Sequence, residues 1–66
     1  MTITLNGQSR SVSDGLSLQA LITQVTGHPE HVVAEVNGRI VEKTAWASFA
    51  IDTGATIELV TFVGGG

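Results

Sequence analysis

Residues 17–25 read Ser-Leu-Gln-Ala-Leu-Ile-Thr-Gln-Val, and this stretch decides the fold because it holds the one long helical pattern in the chain. Its apolar residues recur at helical spacing and so form a stripe along one face; they are Leu18, Leu21, Ile22 and Val25. Ser17 is a good N-cap, because its hydroxyl can accept a hydrogen bond from a first-turn N–H. We expect Gly27 to end the helix as a left-handed C′ residue, with Pro29 following.

Five strand patterns flank this helix. Asn6-Gly7 and Asn37-Gly38 favour tight hairpin turns, because both residues of such a pair tolerate positive φ. Residues 56–63 form the longest run of β-branched and aromatic residues, so we expect that strand to lie centrally in the sheet. The predicted strands are residues 2–5, 8–12, 32–36, 39–41 and 56–63.

The element order predicts an α+β fold in which one helix covers one face of a mixed sheet of four to five strands. This is the β-grasp arrangement of ubiquitin-like domains, and we expect the first hairpin and the last strand to lie at the middle of the sheet. Residues 43–49 predict a helical turn that packs Trp46 and Phe49 on the core. We divide the chain into a β-grasp domain, residues 1–63, and a glycine tail, residues 64–66.

Composition excludes several classes of function. The 66 residues carry a net charge of −3 with only three Lys or Arg, so there is no basic surface for nucleic acid or for anionic membranes. No Cys is available for a disulfide or a thiolate metal site. No apolar run approaches the roughly 20 residues that span a bilayer, and the start does not resemble a signal peptide. We therefore expect a cytoplasmic protein, with a monomer as the default.

Three consecutive glycines, Gly64-Gly65-Gly66, follow the last strand pattern directly. Glycine has no side chain that could pack at the end of a strand, so three glycines there are not explained by stability of the sheet. A chain end without Cβ atoms can thread into a narrow active site, and three residues reach at most about 10 Å. The alternative is a frayed terminus or a cloning scar. Together with the β-grasp order, the tail predicts that the Gly66 carboxylate is the working group.

The chain resembles the ThiS family, the sulfur carriers of thiamine biosynthesis, over its full length. Molybdopterin-synthase small subunits share the fold and the Gly-Gly end but usually have longer chains. The segments that carry the resemblance to ThiS are residues 2–7, 15–18, 36–38, 40–41, the turn around Trp46, residues 52–54 and the ending at residues 62–66.

The resemblance implies a defined cycle. An E1-like adenylyltransferase, ThiF-like, would use ATP and magnesium to adenylate Gly66, with Gly64 and Gly65 threaded into its active site. A cysteine desulfurase or persulfide donor would convert the adenylate to a thiocarboxylate, and a ThiG-like thiazole synthase would take the sulfur. On this interpretation the carrier has no catalytic residue and binds no cofactor or metal itself.

The last strand also predicts a docking surface. Ile57 and Leu59 share one face of a period-2 strand, and Val60 shares the other with Phe62. We expect Ile57 and Leu59 in the core, which leaves Glu58, Val60 and Phe62 exposed beside the tail as a patch for partner enzymes. A bulge or the turn around Trp46 covering these residues is the alternative.

Other functions stay open or are set aside. The same activated tail would serve molybdopterin synthesis or protein conjugation, and an adaptor role without tail chemistry is a further alternative. Asp52-Thr53-Gly54 matches the aspartic-protease signature, but a turn before the last strand explains it. His28 and His31 suggest a metal pair, yet we expect solvent-exposed histidines because no third ligand is evident nearby.

Overall fold

The structure is a computed structural model that describes residues 1–62. Residues 63–66, and with them the predicted domain boundary and glycine tail, lie outside the described residues. Within residues 1–62 the chain forms five strands, one α-helix and two short 3₁₀ helices. The strands are β1 (Thr2–Leu5), β2 (Gln8–Ser11), β3 (Val32–Val36), β4 (Arg39–Val41) and β5 (Thr56–Thr61), the helix is α1 (Leu18–Val25), and the 3₁₀ helices are Pro29–His31 and Lys43–Ser48.

The described strands form one mixed sheet in the order β2-β1-β5-β3-β4. β1 and β5 run parallel, and the other neighbours are antiparallel. The predicted α+β architecture and the central position of β5 are confirmed. Of the first hairpin only β1 lies inside the sheet, which corrects our expectation that the whole hairpin lies at the middle. β2 lies at the edge because its four residues are all exposed and have no apolar side chain to bury.

Helix α1 begins as predicted, because Ser17 Oγ accepts a hydrogen bond from the Ala20 N–H at 3.1 Å. Gly27 follows the C-cap directly, as predicted, but the left-handed conformation expected for it is wrong. Thr26 is the C-cap in an extended conformation (φ −144°), and Gly27 is absent from the positive-φ residues of the described chain. The physical reason is that Thr26 Oγ1 accepts the His28 N–H at 3.1 Å, so the chain leaves the helix extended.

The core lies between α1, the sheet and the second 3₁₀ helix. Trp46 is buried there and its Nε1–H donates to the Val41 carbonyl at 2.9 Å, which confirms the predicted aromatic anchor. Phe49 packs at the border of the core. The other buried apolar residues are Ile3, Leu18, Leu21, Ile22, Val32, Ala34, Val36, Ile51, Ala55 and Ile57.

The two Asn-Gly turns do more than reverse the chain. Asn6 and Asn37 have positive φ of 49° and 52°, as hairpin turns require. The Asn6 side chain reaches β5, where Oδ1 accepts the Leu59 N–H at 2.8 Å and Nδ2 donates to the Leu59 carbonyl at 3.4 Å. On the opposite side of β5, Asn37 Oδ1 accepts the Thr56 N–H at 2.9 Å. Both amides therefore fix the position of β5 between β1 and β3.

We expect Asn6→Gly to lower the free energy of unfolding by about 1 kcal/mol, because glycine keeps the turn but leaves Leu59 without its side-chain partner. Asn6→Asp retains an acceptor for the Leu59 N–H and is the matched control, with a smaller loss. Urea unfolding of both variants checks this. Equal losses in the two variants would show that the bond to the Leu59 N–H is not what matters at this position.

Candidate functional site

The sheet face opposite α1 is the candidate site. Residues that pair directly across neighbouring strands share a face, and here the pairs are Val33 with Val60, Glu35 with Glu58, and Glu35 with Ile40. Phe62 follows two residues after Val60, just beyond the end of β5. We call these six residues the open sheet face: Val33, Glu35, Ile40, Glu58, Val60 and Phe62.

Much of the open sheet face is apolar and accessible. Ile40 is 68% exposed, Val60 56% and Phe62 49%, whereas Ile57 on the other face of β5 is completely buried. Leu59 packs at the edge of the core, and Glu58 is exposed. The alternation in β5 thus places Glu58, Val60 and Phe62 on the accessible side, as expected. Their role in docking partners stays a prediction.

Sequence reasoning missed half of this face. Val33, Glu35 and Ile40 come from β3 and β4, and only the strand register brings them beside the predicted patch. A period-2 pattern in residues 32–36 shows that Val33 and Glu35 share a face, but not which strand lies next to them. No signal in the sequence could have identified the pairing of Val33 with Val60.

Two carboxylates lie directly opposite each other within the open sheet face. Glu35 on β3 pairs with Glu58 on β5, and neither takes part in an ion pair within residues 1–62. Like charges directly opposite on antiparallel strands destabilise a sheet. A cation from a binding partner placed between them would remove that repulsion. The face therefore combines apolar contact area with two neighbouring carboxylates.

The end of β5 is held by the first 3₁₀ helix. The Phe62 N–H donates to the His31 carbonyl at 2.9 Å, and the two rings lie 5.8 Å apart between centroids. An open groove of about 400 Å³ lies here, lined by Thr26, His28, His31, Thr61 and Phe62. The predicted working residues Gly64, Gly65 and Gly66 continue from this end of the strand in sequence and lie outside the described residues.

The expectation that His28 and His31 lack a third ligand is wrong. Glu30 lies between them, and its Oε1 is 3.3 Å from His28 Nδ1. His28 is exposed as expected, but His31 is half-buried. A backbone hydrogen bond, with a smaller contribution from His28, holds the pKa of the Glu30 carboxyl below its ordinary value. The signal was present in the sequence, because the three donors lie within four residues.

The remaining motifs have structural explanations. Asp52 is exposed and begins a turn in which its carbonyl accepts the Ala55 N–H at 3.1 Å, with Gly54 at φ 80°. This confirms the predicted turn before β5. None of the described helices is long and apolar enough to cross a membrane.

Comparison with known proteins agrees with this fold. The closely similar structures include the crystal structure of a thiamine biosynthesis protein (ThiS) from Geobacter metallireducens, at 29% identity and a TM-score of 0.86, with both chains fully covered. The solution structure of the Geobacter metallireducens protein gives a TM-score of 0.81 at 29% identity and covers all of this chain and 88% of that one.

Sequence relatives fall into two groups. A thiazole synthase from Paramagnetospirillum magneticum is 33% identical over the whole chain, which spans only 20% of that protein's length. An uncharacterized protein, ycf40, from Porphyra purpurea is 30% identical, and the chain covers 93% of it. The family model described as ThiS family matches residues 3–66. The chain therefore belongs to the ThiS family.

Proposed function

We propose that this protein is a sulfur carrier of thiamine biosynthesis and that sulfur travels on the carboxylate of Gly66. The observation that carries the proposal is the family match over residues 3–66, which takes in both the sheet and the three glycines. The likeness to the Geobacter ThiS structure over the whole chain supports it. The protein acts as a co-substrate of other enzymes, and its location in the cytoplasm and its monomeric state stay predictions.

The tail chemistry follows from the poor reactivity of a carboxylate. In the proposed cycle a Gly66 oxygen attacks the α-phosphate of ATP in an E1-like adenylyltransferase that uses magnesium, and pyrophosphate leaves. The terminal sulfur of a persulfide, supplied through a cysteine desulfurase, then attacks the acyl carbon and AMP leaves. A thiol cleaves the resulting S–S bond, which leaves a thiocarboxylate on Gly66 and a disulfide on the donor.

The acceptor in the proposal is thiazole synthase. Proteins with that name contain a stretch similar to this whole chain, and it makes up a fifth of the two that match. In those two proteins a stretch similar to this chain occurs in the same polypeptide as the thiazole synthase. Two parts of one polypeptide are expected to act together. This supports thiazole synthase as the enzyme that takes sulfur from Gly66, with Gly64 and Gly65 inside its active site during transfer.

The open sheet face is proposed to dock the E1-like enzyme. Exposed apolar patches mark interaction sites, and this one ends at Phe62, four residues before Gly66. Four fully extended residues span at most about 14 Å, so a partner that holds Phe62 has the working carboxylate within reach. The Glu35–Glu58 pair adds a requirement for a basic group on that partner.

The decisive experiment is intact mass spectrometry of the protein purified from cells that make thiamine. We expect a fraction heavier by the difference between one sulfur and one oxygen atom, mapped to Gly66 by fragmentation. The fraction should increase on incubation with the adenylating enzyme, a persulfide donor and ATP, and a reaction without ATP is the control. An unchanged mass under all conditions would contradict sulfur carriage and favour conjugation or simple binding.

Phe62→Ala should slow adenylation of Gly66 by about tenfold, because truncating an aromatic contact residue at an interface hot spot costs more than about 1 kcal/mol of binding. The loss in the free energy of unfolding should be smaller than this loss of binding energy, since the ring is half exposed. Val25→Ala, a partly exposed apolar residue of α1, is the matched control and should adenylate normally. Normal activity per folded molecule combined with a large stability loss would overturn the docking role.

Glu58→Gln should have opposite effects on stability and on partner binding. Removing one carboxylate of the Glu35–Glu58 pair should raise the free energy of unfolding by a few tenths of a kcal/mol. The same change should weaken binding to the adenylating enzyme, measured as a higher KM for the carrier. Asp52→Asn makes the same charge change on the turn before β5 and should change neither the free energy of unfolding nor the KM for the carrier. A variant that is more stable and binds equally well would show that the pair has no role in recognition.

A further inference from the structure

The first 3₁₀ helix gathers three metal-ligating side chains that the carrier chemistry does not use. His28, Glu30 and His31 each offer one donor atom, and these three atoms lie within 4.8 Å of one another. The imidazole rings of His28 and His31 are stacked, with centroids 5.7 Å apart and an interplanar angle of 19°. His28 Nδ1 already lies 3.3 Å from Glu30 Oε1.

The backbone holds this cluster in place before any ion binds. The His31 N–H donates to the His28 carbonyl at 3.0 Å, and Pro29 begins the turn with its φ fixed by the ring. Thr26 Oγ1 accepts the His28 N–H from one side, and the Phe62 N–H bonds to the His31 carbonyl from the other. These hydrogen bonds order the backbone that carries the three donors.

The donor set selects a class of metal. Two imidazoles and one carboxylate suit Zn²⁺ and related divalent transition metals, with bonds of about 2.0–2.2 Å. Tetrahedral ligands at such bond lengths lie roughly 3.4 Å apart, which the His28–Glu30 pair matches already. Three protein ligands leave one position of a tetrahedral ion free for water or another ligand.

We propose that His28, Glu30 and His31 form a binding site for one Zn²⁺-class divalent ion per chain. The site is separate from the proposed sulfur chemistry, which needs only the tail and the docking surface. It lies against the end of β5, because His31 contacts Phe62 through both backbone and ring. Binding of the ion should therefore change the environment of Phe62, on the border of the open sheet face.

Titration of the full-length, untagged chain with Zn²⁺ alone tests the site by calorimetry. We expect one ion per chain, and His28→Asn and His31→Asn should each weaken the affinity by more than about tenfold, because even the loss of an outer-shell partner of a ligand typically costs that much. Glu30→Gln should weaken binding as well. Glu35→Gln removes a carboxylate outside the cluster and is the matched control, with unchanged affinity. Circular dichroism of each variant establishes that it is folded.

A second readout locates the ion. Amide resonances of residues 26–32 and of Phe62 should shift on addition of Zn²⁺, while those of β2 at the far edge of the sheet should not. The site would be overturned by equally strong binding in the His28→Asn and His31→Asn variants or by no binding at all. Resonance shifts spread over carboxylates outside the cluster would overturn it as well. Loss of zinc binding with normal thiocarboxylate formation would confirm it as separate from the carrier function.

Discussion

The amide side chains of Asn6 and Asn37 hold β5 from its two sides, and the rest of the described structure depends on that placement. Each asparagine stands at positive φ in a tight turn and also bonds to the backbone of β5, at Leu59 and Thr56 respectively. β5 is the strand that joins the β1–β2 hairpin to the β3–β4 hairpin. Its register decides that Ile57 enters the core and that Glu58 and Val60 face away from it.

The proposed carrier role, in which several enzymes bind and release the protein, needs a surface that is accessible in the free protein. The open sheet face has this property, because α1 covers the opposite side of the sheet and no described element covers this one. Its apolar residues supply contact area, and the directly paired carboxylates of Glu35 and Glu58 are expected to cost stability in the free chain. A surface that is less than optimal for folding alone is expected where binding is the function.

The end of β5 brings the two proposed sites together. Phe62 belongs to the open sheet face and also bonds to His31 of the donor cluster, so both sites share one structural element. The family match extends from this region through the glycines to Gly66. The proposed docking surface and the proposed metal site therefore meet at Phe62, while β2 at the edge of the sheet contains only exposed polar residues.

The sequence by itself determined the helix, its Ser17 cap, both Asn-Gly turns and the alternation along β5, because each depends on residues close together in the chain. Local patterns could not decide that β2 lies at the edge or that Thr26 ends α1 extended. The tertiary structure alone brought Val33, Glu35 and Ile40 next to the last strand. The physical reason is that strand pairing joins residues distant in sequence, and its register follows from the packing of the whole core.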